Sequence, residues 1–310
     1  MKKFLKYTGL ALLAIIISVV LIFGYSDRSV VELKEKYAND QSKFIEIEGI
    51  KVHYRDEGNG VPLVLLHGTA ASLHTWDGWT EALKDKYRII RLDLPAFGLT
   101  GPAFDGDYSI DNYGRFLNAF FSEIQLDSIY LAGNSLGGHI AWTYALDNQD
   151  FVRKLILIDA TGIPKTAPDP MVFRMARTPI VGSLFKYITP KSFIKKNLKE
   201  VYYDDSKVTD ALVEQYHDLA LREGNRQAFI DRAAVVTTDR SDELQYLLTP
   251  TLLIWGKEDT WVPMSSFESF KVLIPDLQTA LLDKLGHVPM EEDPKLTSKI
   301  AHDFLQKKSK

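Results

Sequence analysis

Ser135 is the residue of this sequence best placed to act as a nucleophile. It stands in the run GNSLGG at 133–138, after a short apolar run and before a stretch with helical periodicity. In the order strand, Gly-x-Ser-x-Gly, helix, the glycines permit a turn so tight that the serine hydroxyl projects at the edge of a sheet. A dinucleotide-binding loop would need glycine in place of Ser135, because the backbone must closely approach a pyrophosphate there. The motif therefore predicts a serine nucleophile.

The elements around this serine alternate between strands and helices. Apolar runs typical of strands buried on both faces lie at 61–66, 87–92, 128–132, 154–158, 251–255 and 278–282. Helical patterns lie between most of them, at 76–84, 110–123, 137–147 and 263–273, and a hairpin is predicted over 44–55. This alternation predicts an α/β fold with a mostly parallel sheet, helices on both faces, and functional groups at the carboxyl ends of the strands.

One long stretch breaks the alternation. Residues 161–246 contain no convincing strand, and their helical pieces are separated by Pro164, Pro168, Pro170, Pro179 and Pro190. We interpret this stretch as a helical cap inserted into a core formed by 44–160 and 247–310.

The motifs that follow the predicted strands resemble those of the α/β-hydrolase superfamily, and the resemblance covers the chain from about residue 44 to its end. They are HGT at 67–69, DLPAFG at 93–98, GNSLGG at 133–138, WGKED at 255–259 and GHVP at 286–289. The tight turn at GNSLGG is called the nucleophile elbow here. This elbow and the DLPAFGLTGP run are similar to those of bacterial lipases and esterases that are often exported or membrane-anchored. The resemblance implies an α/β-hydrolase fold.

A serine nucleophile needs a base to remove its proton and an acid to orient that base. His287 lies in a loop after the last predicted strand, from which its imidazole could reach the elbow. Asp259 follows a predicted strand and gives the chain order Ser, Asp, His that this fold uses. Asp159, at the end of an earlier strand, is the alternative acid. We predict a triad of Ser135, Asp259 and His287.

The remaining site predictions concern the oxyanion hole and the substrate pocket. By the pattern of the superfamily, the backbone N–H groups of Thr69 and Leu136 should stabilise the negative charge that develops on the carbonyl oxygen. Trp76, Met171 and Val262 are expected to line a pocket for the substrate.

Three functions fit these residues. The first is hydrolysis of carboxylic esters, by an esterase or lipase, through an acyl-enzyme. The second is carbon–carbon bond hydrolysis of dienoic ring-fission products, whose enzymes also use serine in a similar elbow, although their oxyanion loop is usually richer in glycine and proline than HGTAAS. The third is a non-catalytic receptor with this fold, which would normally show a broken triad. Dehalogenases and epoxide hydrolases are disfavoured because they attack with aspartate.

Composition excludes other classes of function. The net charge of −4, from 37 basic and 41 acidic residues, gives no electrostatic footprint for a nucleic-acid partner. The sequence has no cysteine and no cluster of histidine and carboxylate at metal-ligand spacing, so no cofactor or metal is expected. The expected partner is a small-molecule or lipid ester, and no oligomeric state is predicted.

The amino-terminal segment predicts a membrane anchor. Lys2, Lys3 and Lys6 precede an uncharged run from Tyr7 to Ser26, and about 20 helical residues span one bilayer core. The basic residues ahead of the run favour a cytoplasmic amino end. We therefore predict a transmembrane signal anchor over 1–26, a stalk over 27–43, and a catalytic domain outside the cytoplasm. A cleaved signal peptide, giving a secreted protein, is the alternative.

Overall fold

The centre of the molecule is a sheet of eight strands. The computed structural model describes residues 24–307, together with the single positions 4, 7, 8, 10, 14 and 18. The strands are β1 Ser42–Ile47, β2 Ile50–Glu57, β3 Pro62–Leu66, β4 Arg88–Leu92, β5 Ile129–Asn134, β6 Val152–Ile158, β7 Thr251–Gly256 and β8 Gln278–Leu282. Their order across the sheet is β1-β2-β4-β3-β5-β6-β7-β8. The β1–β2 and β2–β4 pairs are antiparallel and the others parallel, which confirms the predicted mostly parallel sheet.

Twelve α-helices lie within residues 24–307. They are α1 Val30–Tyr37, α2 Asp77–Leu83, α3 Ile110–Glu123, α4 Leu136–Asp147, α5 Met171–Ala176, α6 Pro179–Phe185, α7 Lys191–Val201, α8 Asp210–Ala220, α9 Asn225–Ala234, α10 Met264–Leu273, α11 Pro289–Glu292 and α12 Pro294–Leu305. All residues between β6 and β7 are described, and none of them joins the sheet. Helices α5 to α9 therefore form one insertion, at the place proposed for the cap.

The central strand β3 is apolar along its whole length because both faces of the sheet are covered. Val64 of β3 packs in one core cluster with Phe116 of α3. Its neighbour Leu65 faces the other way, into a second cluster with Trp79 of α2 and Phe304 of α12. Successive side chains of a strand point to opposite faces, so a strand buried on both sides has no polar alternation.

The segment expected to be a stalk packs against the body instead. Leu33 of α1 is fully buried against Leu99 of the core and Leu219 of α8. The hydroxyl of Tyr37 donates to the Asp218 carboxylate at 2.8 Å, and the Arg28 guanidinium lies 3.1 Å from the same group. The structure corrects the stalk prediction, because the amphipathic α1 buries its apolar side against two parts of the fold.

The signal anchor predicted over 1–26 falls almost entirely outside the described residues. In the part of the chain that the structure describes, no helix combines the length and the hydropathy needed to cross a bilayer. This finding corrects the predicted transmembrane helix and the membrane-anchored location, and it leaves the predicted membrane partner without support.

Candidate active site

Ser135 occupies a sharp turn between β5 and α4. Its backbone has φ 53° and ψ −115°, a strained conformation for a residue other than glycine. A Cβ atom at Gly133 would lie 2.2 Å from the carbonyl oxygen of Gly137, and one at Gly137 would lie 2.3 Å from that of Leu66. Both positions therefore require glycine, and the turn holds the serine at the carboxyl end of a central strand.

His287 and Asp259 form a buried pair beside this turn. The Nδ1 atom of His287 lies 2.7 Å from Oδ2 of Asp259. The other carboxylate oxygen, Oδ1, accepts the backbone N–H groups of Trp261 at 2.7 Å and Val262 at 3.0 Å. Asp259 therefore fixes the tautomer with a proton on Nδ1, which leaves Nε2 available as a base.

Ser135 and His287 line the same cavity. The described hydrogen bonds include none between their side chains, and such bonds are often long or poorly aligned in enzymes without substrate. The arrangement brings nucleophile and base to one wall, where an acyl carbonyl can lie between them.

Asp159 is a third acidic group next to this pair. It is fully buried, its Oδ1 accepts the backbone N–H of Gly256 at 3.0 Å, and its Oδ2 has no partner. Burial and the nearby negative charge of Asp259 raise the pKa of Asp159 well above its ordinary value. The protonated form of Asp159 is therefore favoured more than in an ordinary aspartate, and Asp159 does not hold the imidazole.

Donor atoms of Asp159, Asp259 and His287 lie within 4.8 Å of one another, the spacing of a metal site. Metal ligands must be deprotonated and free to coordinate. Here burial favours the protonated form of Asp159, and the imidazole is hydrogen-bonded to Asp259. The cluster therefore fits acid–base chemistry better than metal binding.

Three hydrogen bonds fix the loop that carries His287. Asn134 Nδ2 donates to the carbonyl oxygen of His287 at 3.0 Å and to that of Ile158 at 3.1 Å, so it connects the elbow directly to this loop. The backbone N–H of His287 donates to Val201 at 2.8 Å. On its other side, Gly286 donates to the Glu292 carboxylate at 2.6 Å. The base is thus attached to the same strand end as the nucleophile.

The backbone N–H groups of Thr69 and Leu136 have no protein acceptor in the described chain. Both residues line the cavity beside Ser135, and Leu136 is the first residue of α4, where a helix presents free N–H groups. His67 braces the loop of Thr69: its Nδ1 lies 2.7 Å from the Gly68 carbonyl oxygen, and its Nε2 accepts the N–H of Leu94 at 2.9 Å. The two free N–H groups are placed as oxyanion-hole donors would be.

The cavity has two arms that meet at the serine. Both arms share Thr69, Ser135, Phe173, Phe229, Trp261 and His287. The apolar arm is lined mainly by aromatic and aliphatic side chains, among them Phe97, Val172, Phe185, Phe193, Ile194, Leu198, Leu219 and Ala220. The polar arm is lined by charged and polar groups, among them His139, Lys165, Asp169, Arg177, Arg232, Thr237, Thr238 and Asp239. An acyl compound held at Ser135 can thus place one half in each arm.

Two of the three predicted pocket residues lie elsewhere. Trp76 is fully buried in the core, with its ring 5.2 Å from that of Trp79, because the turn before α2 directs it inward. Met171 begins α5 and is 57% exposed. The structure places only Val262 on the cavity, in the polar arm.

Sequence reasoning missed several cavity residues. Trp261 lies two positions after Asp259, and its ring is 5.8 Å from that of His287, so its place in the chain could have indicated it. Phe173 and Phe229 come from different cap helices, and their rings stack 5.9 Å apart across the cavity. No local pattern indicates that pairing, because it depends on how the helices pack.

The comparisons with known proteins agree with this fold. The profile of the alpha/beta hydrolase fold family matches residues 61–187. A 2-hydroxy-6-oxononadienedioate/2-hydroxy-6-oxononatrienedioate hydrolase of Cupriavidus pinatubonensis is 28% identical over 85% of this chain and 95% of its own. A putative lipase from Acinetobacter baumannii AYE is 26% identical, covers 91% of this chain and 97% of its own, and has a TM-score of 0.75.

A second solved structure matches over nearly the whole length. A membrane phospholipase A, described as a bacterial virulence factor, is 26% identical with a TM-score of 0.73, over 98% of both chains. From the fold, the family profile and these structures, the chain belongs to the α/β-hydrolase superfamily and is a hydrolase. Several relatives are named for dienoic acids, so the relatives support the predicted alternative, carbon–carbon bond hydrolysis, better than ester hydrolysis.

Proposed function

We propose that this hydrolase cleaves carboxylic esters with a neutral, apolar acyl group. The observation that carries the proposal is the lining of the apolar arm, which begins at Ser135. Its one charged side chain besides the triad imidazole is Arg226, whose Nε and Nη2 lie 3.1 and 2.6 Å from Oδ1 of Asp27. An apolar acyl chain loses little hydration energy when it enters such an arm. A carboxylate on the acyl half of a substrate would instead lose its hydration there, beside an arginine that is already paired.

The proposed reaction has two steps. His287 Nε2 removes the hydroxyl proton of Ser135 as its oxygen attacks the carbonyl carbon, and Asp259 stabilises the imidazolium. The N–H groups of Thr69 and Leu136 bind the oxyanion, each contributing about 3 kcal/mol to the lowering of the barrier. The imidazolium then gives its proton to the leaving alcohol, and an acyl-enzyme remains. Water, activated by the same histidine, releases the acid and restores the hydroxyl.

Hydrolysis of a carbon–carbon bond in dienoic ring-fission products is the second candidate. The names of the relatives favour it. The same serine would attack a ketone, and the leaving group would be a carbon acid in place of an alcohol. The two candidates therefore share Ser135 and differ in the bond that breaks.

Both candidates are tested with one set of proteins. The proteins are wild type, Ser135→Ala and the control Ser265→Ala. The control changes an exposed serine of α10 that lies outside both arms. Each protein is assayed on p-nitrophenyl esters from acetyl to palmitoyl and on a 2-hydroxy-6-oxo-dienoate. We expect ester hydrolysis by wild type and the control, and its loss in Ser135→Ala. Cleavage of the dienoate alone would replace the ester proposal with the second candidate.

A further inference from the structure

The polar arm holds a guanidinium without a carboxylate partner. Lys165 and Arg177 both pair with the Asp169 carboxylate, Lys165 at 3.3 Å. Arg232 forms no such pair in the described chain, and its Nε is buried without a hydrogen-bond partner. Burial lowers the pKa of Arg232, and the neighbouring groups that also affect this pKa, Tyr113 and Arg177, are not carboxylates. Tyr113 directs its own proton to the Pro95 carbonyl oxygen at 2.9 Å. The arm therefore has a cation whose counter-charge the protein does not supply.

A second arginine on the same helix shows the contrast. Arg226 lies in the first turn of α9 and Arg232 in its last turn, and they reach different arms. Arg226 is paired with Asp27 at 2.6 Å. A partly desolvated charge is costly unless it is paired, so an unpaired one inside a cavity indicates a partner that arrives with the ligand.

A histidine of the polar arm lies close enough to Arg232 for its charge to act on the imidazole. His139 of α4 lines the polar arm and stacks on Trp142 with ring centroids 5.0 Å apart. Burial, followed by the positive charges of Arg232 and Arg240, lowers the pKa of His139 to about 3. The imidazole is therefore neutral and adds no competing charge. Three basic and two acidic side chains line the polar arm, so it carries one positive charge in excess. They are Lys165, Arg177 and Arg232, and Asp169 and Asp239.

The position of the arm relative to Ser135 assigns this charge to one half of the substrate. The acyl chain of the proposed ester occupies the apolar arm, so the leaving alcohol extends into the polar arm, which Leu136 and His287 also line. A guanidinium binds the planar or tetrahedral oxygens of carboxylate and phosphate through paired N–H groups.

We propose that Arg232 is a specificity-determining residue that binds an anionic group, a carboxylate or a phosphate, on the leaving alcohol. This inference rests on the proposed ester hydrolysis. It makes the preferred substrate an ester with an apolar acyl half and a negatively charged alcohol half.

The test uses two matched pairs of substrates. One is 4-(hexanoyloxy)benzoate with its methyl ester, and the other is 1-hexanoylglycerol 3-phosphate with 1-hexanoylglycerol. We expect wild type to prefer at least one charged member. Arg232→Gln should lower kcat/KM for that member about 10- to 100-fold, as expected for charge-assisted hydrogen bonds, and leave its neutral partner within about twofold. The control Arg174→Gln removes an exposed cap charge outside both arms and should change neither ratio.

The two pairs distinguish carboxylate from phosphate. An equal loss on charged and neutral members in Arg232→Gln would show a structural role and overturn the proposal. Equal activity of wild type on the charged and neutral members of both pairs would overturn it as well.

If no ester is cleaved, the proposed function fails on its own, and the anion site is tested by binding to wild type. Glycerol 3-phosphate or 4-hydroxybenzoate should then raise Tm, and glycerol or methyl 4-hydroxybenzoate should not. No difference between charged and neutral compounds would overturn the anion site.

Discussion

The imidazole of His287 lies 2.7 Å from the Asp259 carboxylate, whereas the carboxyl group of Asp159 accepts its hydrogen bond from the backbone of Gly256. This geometry supports separate roles for the two acids. Asp259 contacts the imidazole, and Asp159, whose pKa is raised by burial and by the charge of Asp259, does not. This arrangement distinguishes two acids that the sequence alone leaves as alternatives.

Exchange of each acid for its amide tests the assignment. Asp259→Asn should lower kcat about 10³- to 10⁴-fold, because an amide stabilises the wrong tautomer of His287 and no imidazolium. Asp159→Asn should retain activity within about threefold, because Asp159 does not contact the imidazole and an amide oxygen can still accept the N–H of Gly256. Steady-state kinetics on a cleaved ester, with circular dichroism to confirm folding, give the comparison. The opposite ranking would assign the orienting role to Asp159.

The raised pKa of Asp159 predicts how stability depends on pH. The folded state holds a proton on Asp159 that the unfolded state has released above about pH 4, so its contribution is present at low pH and is lost as pH rises through the folded pKa. In that window stability should fall by about 1.4 kcal/mol per pH unit from this group. Asp159→Asn removes the effect, so it should gain stability relative to wild type as pH rises above about 4. Urea unfolding of both proteins across a series of pH values that starts near about 4 measures the difference, and parallel changes in the two proteins would contradict it.

The apolar arm predicts a limit on acyl length that one substitution can change. Ala220, the last residue of α8, lines this arm, and a phenylalanine there would fill part of it. Ala220→Phe should lower kcat/KM for decanoyl and longer esters at least about 10-fold and leave acetyl esters within about twofold, because a long chain needs the volume that the phenylalanine fills and an acetyl group does not. The control is Ala211→Phe, an exposed position of the same helix. A uniform loss at all chain lengths would show that α8 does not border the acyl site.

The packing of α1 predicts a stability effect at the amino-terminal segment. Leu33 is fully buried between Leu99 and Leu219, while Val31 on the same helix is 68% exposed. Leu33→Ala should reduce the free energy of unfolding by about 2–5 kcal/mol, and Val31→Ala by less than about 0.5 kcal/mol. Thermal or urea unfolding of both variants tests this. Equal stability of the two variants would mean that α1 does not support the fold.

The centre of the sheet was predictable because its strands are buried on both faces. In β7 the consecutive residues 252–255 are all apolar, and this pattern needs no knowledge of the neighbours. The elbow was predictable for a similar reason, since the glycines at 133 and 137 are required by contacts within one strand-turn-helix unit and the strand beside it.

Features that depend on distant packing could not be read from the sequence. The charges of α1 resemble those of an exposed stalk, and only its contact with Leu219 shows why Leu33 is apolar. Trp76 follows the oxyanion loop in the chain, yet its ring faces the core. The unpaired state of Arg232 depends on which carboxylates approach from other elements, and no local pattern contains that information.

The central claim is that Ser135 is an activated nucleophile, and covalent labelling tests it most directly. An alkyl fluorophosphonate reacts with a serine whose proton a neighbouring base removes, and each reaction adds one phosphonyl group to the protein mass. We predict one adduct per chain in wild type and in Ser265→Ala, located on Ser135 by peptide mapping, and none in Ser135→Ala. Folded wild type that forms no adduct, or an adduct on another residue, would contradict the assignment of the nucleophile.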